Sequence, residues 1–105
     1  MNDALQAIAE PRRREILSLV RDRELSVGEI AEHFEVTRPA ISQHLRVLKD
    51  AGLVSDRPQG TRRLYRALPE GLAEVRAYLE GFWDRGLEAL KEAAEAEQRS
   101  RNDDE

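Results

Sequence analysis

Thr37-Arg38-Pro39-Ala40-Ile41-Ser42-Gln43-His44-Leu45-Arg46-Val47-Leu48-Lys49-Asp50-Ala51-Gly52-Leu53-Val54 decides the fold. Thr37 is an N-cap, because its hydroxyl accepts from the free N–H groups of a first helical turn. Pro39 falls in that first turn, where its missing N–H costs no intrahelical bond. Ile41, Leu45 and Leu48 recur at helical spacing and form one apolar stripe. Gly52 supplies the left-handed residue that ends the helix, and Leu53 packs back. The other face shows Arg38, Ser42, Gln43, Arg46 and Lys49. A short helix anchored on one side, with hydrogen-bonding side chains on the other, suits a DNA major groove.

Working outward, Ser26 and Glu29 stand at capping-box spacing. They predict a helix from Val27 to Phe34 that buries Val27, Ile30, Ala31 and Phe34. Only Glu35-Val36-Thr37 separates it from the next helix, and two helices joined so tightly make a helix-turn-helix. Upstream, Asp3–Ala9 reads as a helix with Leu5, Ile8 and Ala9 on one face. Pro11 opens another over Arg12–Asp22. Arg12, Arg13 and Arg14 are expected to pair with acids such as Glu10 and Glu15, in preference to phosphate. Downstream, Val54–Arg57 and Thr61–Leu68 read as strands joined at Pro58-Gln59-Gly60, a β-hairpin carrying Arg57, Arg62, Arg63 and Arg66. A basic hairpin in that place reads as a wing against the DNA backbone or minor groove.

A last helix is expected over Leu72–Ala96. Leu72, Val75, Leu79, Phe82, Gly86, Ala89 and Ala93 step by 3 and 4, flanked by Trp83, Leu87, Leu90 and Ala94. So small a domain cannot cover so wide an apolar face. Self-association through this helix and the first, as a two-fold dimer, is the physical solution. It places Leu5, Ile8, Leu72, Val75, Leu79, Phe82, Trp83, Leu87 and Leu90 at the interface. Gln98–Glu105 is polar and charged, and reads as a disordered tail after one domain over residues 1–97.

The whole-chain charge of −4 conceals a pattern. Residues 36–68 hold seven bases and two acids, residues 1–35 five and eight, and residues 69–105 five and eleven. A basic middle between acidic flanks is a localised electrostatic footprint for nucleic acid. The chain has no cysteine, which excludes disulfides and thiolate metal sites. It shows neither a secretion signal nor a run of about 20 apolar residues, so no membrane role and a cytoplasmic location are expected. No glycine-rich phosphate loop or nucleophile–base set marks an enzyme.

Leu25-Ser26-Val27-Gly28-Glu29-Ile30-Ala31, Arg38 to Leu48, Ala51-Gly52-Leu53-Val54 and Gly60-Thr61-Arg62-Arg63-Leu64-Tyr65 together resemble the ArsR/SmtB family of winged-helix repressors. The resemblance runs from about Ala4 to Leu90. It implies a mainly α fold with a small β-hairpin, and long terminal helices forming a dimer interface. It also implies a homodimeric repressor that binds an imperfect palindrome in double-stranded DNA and releases it when an effector arrives. The sequence does not name that effector.

Metal-sensing members place cysteines at positions matching Ser26 and Gly28, which cannot supply thiolates here. The family's other metal site uses histidines on the last helix, which has none; the two histidines are His33 and His44. His33 is expected to be a satisfied surface or core histidine, and His44 to bond phosphate or a neighbour. No metal and no cofactor is therefore expected. The chain is more similar to metal-independent members with a terminal helix of this Phe82-Trp83 type.

The expected DNA-binding set is Thr37, Arg38, Pro39, Ser42, Gln43, His44, Arg46 and Lys49, with Arg57, Arg62 and Arg63 from the wing. Gln43 leads for a base edge, then Ser42 and Arg38. Arg46, Lys49, Arg62 and Arg63 suit phosphate. The alternatives are a winged-helix module that binds protein, which leaves the basic block unexplained, and a metal- or redox-responsive sensor, which the missing cysteines disfavour.

Overall fold

Thr37 does begin a helix. In a computed structural model, which describes residues 2–103, its hydroxyl accepts from the Ala40 N–H at 3.3 Å. The elements are α1 (Asn2–Ala9), α2 (Pro11–Leu19), β1 (Leu25–Ser26), α3 (Val27–Ala31), α4 (Arg38–Asp50), β2 (Val54–Gln59), β3 (Arg62–Ala67), a 3₁₀ turn (Pro69–Leu72) and α5 (Ala73–Asp103). The described residues fall into two compact units, one up to Val75 and one from Arg76 onward.

The first unit is built around the stripe of α4. Ile41, Leu45 and Leu48 are fully buried, as are Ile16 and Val20 in and after α2, Ile30 of α3, and Leu53 and Val54 beyond Gly52. Gly52 takes a φ of 75°, the left-handed turn that lets the Leu53 N–H reach back to the Leu48 carbonyl at 2.9 Å. Ser26 and Glu29 form the expected capping box, with the two reciprocal bonds at 3.0 and 3.2 Å.

Several boundaries differ from those expected. The second helix stops at Leu19 and the third at Ala31. Leu25–Ser26 is a strand, too short for alternation to reveal, and it pairs with Leu64 and Tyr65 of β3. The sheet order is β1-β3-β2, so β2 is an edge strand. Pro58 and Gln59 belong to it, opposite Arg63 and Arg62. An edge strand tolerates a missing N–H, and the bend falls at Gly60-Thr61 instead, with Gly60 at φ 62°.

In α1, Ala4 and Ala7 are the buried residues, while Leu5 and Ile8 flank them half-buried and Ala9 is exposed. Val75 is not free for a second copy: it is buried in the core cluster of the first unit, with Leu72 packed against that cluster.

The second unit is the remainder of α5. The helix continues through the expected tail as far as Asp103. Gln98-Arg99-Ser100-Arg101 contains no glycine or proline, Gln and Arg are good helix formers, and Arg101 bonds Glu97 one turn back at 2.7 Å. Asp104 and Glu105 lie outside the described residues.

Candidate nucleic-acid interface

The solvent face of α4 is free where a reading surface must be free. Ser42, Gln43 and Arg46 are exposed, and no described side chain bonds them. The helix supports them rigidly, because the stripe beneath is fully buried. Pro39 is exposed in the first turn, and Arg38 lays its guanidinium over Gly28 of α3. His44 differs: it is half-buried, with Nδ1 3.5 Å from an Nη1 of Arg13. A guanidinium only donates, so Nδ1 accepts, and His44 faces the protein more than the solvent face beside it.

Among the described residues Arg13 and Arg14 do not pair with acids as expected. Arg13 Nε donates to the Ala7 carbonyl at 2.6 Å and Nη2 to that of Gln6 at 3.1 Å. Arg14 Nη1 donates to Ile8 and Ala9 at 2.7 and 3.1 Å. Both therefore cap the C-terminal carbonyls of α1, which the Glu10-Pro11 break leaves without amide partners. Arg12 does meet Glu15, at 3.5 Å, and stacks over Phe34, 4.5 Å from the ring centre. His33 Nδ1 donates to the Glu29 carbonyl at 3.0 Å.

The wing arginines point to both faces of the hairpin. Arg57 and Arg62 lie on one face, bonded to Glu24 at 2.6 Å and Glu29 at 3.4 Å. Arg62 also reaches Gln59 at 3.2 Å. Arg63 lies on the other, 2.5 Å from Asp56. The second oxygen of Asp56 takes Lys49 at 2.8 Å, so this carboxylate ties the end of α4 to the base of the wing. Nothing in the sequence marks these three acids as partners, since none lies at a helical or adjacent spacing from the cation it meets.

The Lys49 ammonium, then the Arg63 guanidinium, hold the Asp56 carboxyl below its usual range. Glu29 is lowered too, first by the Ser26 N–H, then by the Ser26 hydroxyl. A carboxylate lowered on folding stabilises the native state above its unfolded value, and that contribution disappears as pH falls through the folded value. Thermal melts of the parent and Asp56→Asn should therefore differ most near neutrality and converge below the ordinary carboxylate range. A gap that stays constant down to about pH 3, below the ordinary carboxylate value, would show that the charge of Asp56 is not the cause.

Residues for a metal are not assembled. Ser26 is engaged as a cap, and among the described residues no group of three or more His, Asp or Glu side chains is placed to hold an ion. Nor, among them, is any helix long and apolar enough to cross a membrane.

A capped helix-turn-helix with a free polar face, followed by an arginine-bearing hairpin, defines a winged helix-turn-helix protein. Residues 10–56 match the model of the arsR family of bacterial regulatory proteins. The chain is 48% identical over 94 residues to the HTH-type transcriptional regulator Rv2034 of Mycobacterium tuberculosis, covering 90% of this chain and 88% of that protein. It is 45% identical over 60 residues to the transcriptional repressor SdpR of Bacillus subtilis, covering 57% of this chain and 67% of the repressor. Among solved structures, the homodimeric winged helix-turn-helix DNA-binding domain of Mb0332 from Mycobacterium bovis superposes with a TM-score of 0.64 at 34% identity, covering 79% of this chain and 77% of that one. The chain belongs to the arsR family, and it is a transcriptional regulator, not an enzyme.

Proposed function

We propose that the protein is a homodimeric repressor acting in the cytoplasm on a palindromic DNA operator. The observation that carries this reading is the free, rigidly backed row Ser42, Gln43 and Arg46 on α4. Two such helices enter successive major grooves of one duplex face, with half-sites about 10–10.5 base pairs apart or a multiple of that. Gln43 reads a base edge, since its amide matches adenine bidentately. Arg38 and Ser42 assist. Arg46 is the best-placed phosphate ligand of α4, Arg62 and Arg57 serve the backbone after exchanging their carboxylate partners for phosphate, and Arg63 serves it from its seat on Asp56. Thr37 and Pro39 shape the entry of the helix, and His44 supports it from behind through Arg13.

Two copies are joined through Leu79, Phe82, Trp83, Leu87 and Leu90, which are all exposed in a single chain. Leu5 and Ile8, half-buried in α1, contribute their open edges. The homodimeric Mb0332 domain supports this arrangement, and the repressor SdpR supports the direction of control.

Selection of bound fragments from the source genome tests the reading. It should return one sequence with two inverted half-sites, and the protein should lower transcription from that promoter in vitro. Recovery of fragments with no shared sequence would refute it. On that operator, Gln43→Ala should cost about 1–3 kcal/mol and relax a single base preference. Arg62→Ala should weaken all duplexes alike and flatten the slope of log K against log salt by about 0.9 for each phosphate no longer neutralised. An unchanged slope would remove Arg62 from the interface.

A further inference from the structure

We propose that Asp56 is a specificity-determining positioning residue: it fixes the wing against the end of the reading helix and withholds Lys49 and Arg63 from indiscriminate phosphate binding. The inference rests on the operator-binding reading and adds to it a residue that itself touches no DNA.

Three observations support it. The first is burial. The side chain of Asp56 is 6% exposed, whereas those of Lys49 and Arg63 are 52% exposed. The acid at the base of the basic hairpin belongs to a half-buried residue, and its carboxylate is covered by two cations that themselves remain at the surface. Its two oxygens are divided between them, Oδ1 to Lys49 and Oδ2 to Arg63, so each cation has one defined seat.

The second is register. Asp56 lies opposite Tyr65 on the edge strand, and Arg63 lies opposite Pro58, two residues along the same face. The bridge is therefore a diagonal cross-strand contact, which supports the pairing of the hairpin. Lys49 is in the last turn of α4. The helix that reads bases and the hairpin that meets the backbone are joined at this carboxylate, in addition to the covalent link through Gly52.

The third is charge. The block of residues 36–68 holds only two acids, Asp50 and Asp56, and Asp50 is exposed with no ion pair among the described residues. Two cations around one covered carboxylate present a net charge of one, arranged in fixed positions. On a matching duplex, where groove and backbone lie at the angle the bridge sets, helix and wing engage together. On any other duplex the two cations can follow the phosphates only by breaking both ion pairs with Asp56.

The experiment compares the full-length protein with Asp56→Asn and Asp56→Glu. Each is titrated by fluorescence anisotropy with its selected operator and with a scrambled duplex of equal length, over a range of salt. Asparagine keeps the shape and removes the charge; glutamate keeps the charge and lengthens the arm. At about 0.1 M salt a single neutralised phosphate is worth about tenfold in affinity. Asp56→Asn should therefore weaken operator binding by about tenfold as the wing leaves its angle. It should bind scrambled duplex as tightly as the parent or more so, with a steeper salt slope there. Asp56→Glu should reduce operator preference without that steepening.

An operator-to-scrambled ratio unchanged in Asp56→Asn overturns the proposal. So does an equal weakening on both duplexes, which is what mere structural damage produces. If Asp56→Asn does not fold, Lys49→Met, at an exposed position, opens the same bridge from the other side, and its ratio is read in the same way. A parent protein with no preference for any genomic fragment sinks the operator reading itself, whereas a selective parent with an equally selective Asp56→Asn sinks only the role of Asp56.

Discussion

A full-length variant carrying Trp83→Glu and Leu87→Glu is expected to sediment as a single subunit and to bind the operator about 10²–10⁴-fold more weakly than the parent. The reason lies in exposure. Trp83 is 69% exposed, Leu90 67%, Leu87 61% and Phe82 50%. They fall in two adjacent rows of one helix face, so their apolar surfaces run together. Single exposed leucines need no explanation, but a continuous aromatic and aliphatic face on a helix marks a surface that another molecule covers. Tyr78 packs edge-on against Phe82 with ring centres 5.0 Å apart, and Arg85 covers the Phe82 ring at 5.4 Å. The rings therefore already touch one another within one copy.

A two-fold axis presents each residue to its equivalent face. Glutamates at 83 and 87, two in each copy, then bring four like charges into one buried interface. Opening that interface converts the second half-site from an intramolecular event into an independent one, and the avidity of about 10²–10⁴ disappears with it. Circular dichroism should show the helix content preserved, and binding to an isolated half-site should be close to that of the parent. A variant that remains dimeric, or a parent that is a single subunit at micromolar concentration, would remove this face from the assembly.

How much of this was legible in the sequence follows from how local each signal is. Helix α4 was fully legible, because its cap Thr37, its proline, its stripe and its terminating Gly52 all lie within one short stretch of chain. The capping box at Ser26 and Glu29 is local in the same way. The hairpin was legible as a hairpin but not in its turn. Pro58 breaks a central strand and not an edge strand, and which strand lies at the edge depends on Leu25–Ser26, a pair remote in the chain. The end of the last helix was not legible, because a polar composition resembles a tail until the Glu97–Arg101 pair and the absence of any breaker are weighed. Least legible were the roles of the charges. Arg13 and Arg14 stood beside acids in sequence and bonded carbonyls in space. Glu24 and Glu29 each meet an arginine 33 residues away. Such partners exist only once the sheet has brought the wing back to the body.

Gly71→Ala is expected to destabilise the protein by about 3 kcal/mol, the upper end of the cost of overpacking. A Cβ at Gly71 would fall on the carbonyl oxygen of Gly52, well inside van der Waals separation, and 3.2 Å from Leu53 Cδ2. The obstacle is backbone, which cannot rotate away as a side chain can. It is also backbone with fixed partners: Leu53 N–H donates to Leu48, Leu68 N–H donates to Leu53 at 2.8 Å, and Gly71 N–H donates to Leu68 at 3.0 Å. These bonds fasten the 3₁₀ turn that precedes the terminal helix to the end of α4. The left-handed Gly52 and the unsubstituted Gly71 are two halves of one close approach. Gly28→Ala is the control: there the added methyl meets only the guanidinium tip of Arg38, at 2.9 Å, and a flexible side chain can yield. In a domain of this size each kcal/mol lowers the melting temperature by about 4–8 °C. Gly71→Ala should therefore melt well below both the parent and Gly28→Ala. Equal melting temperatures for the two variants would show that the junction between Gly52 and Gly71 has room, and that the 3₁₀ turn is not fastened there.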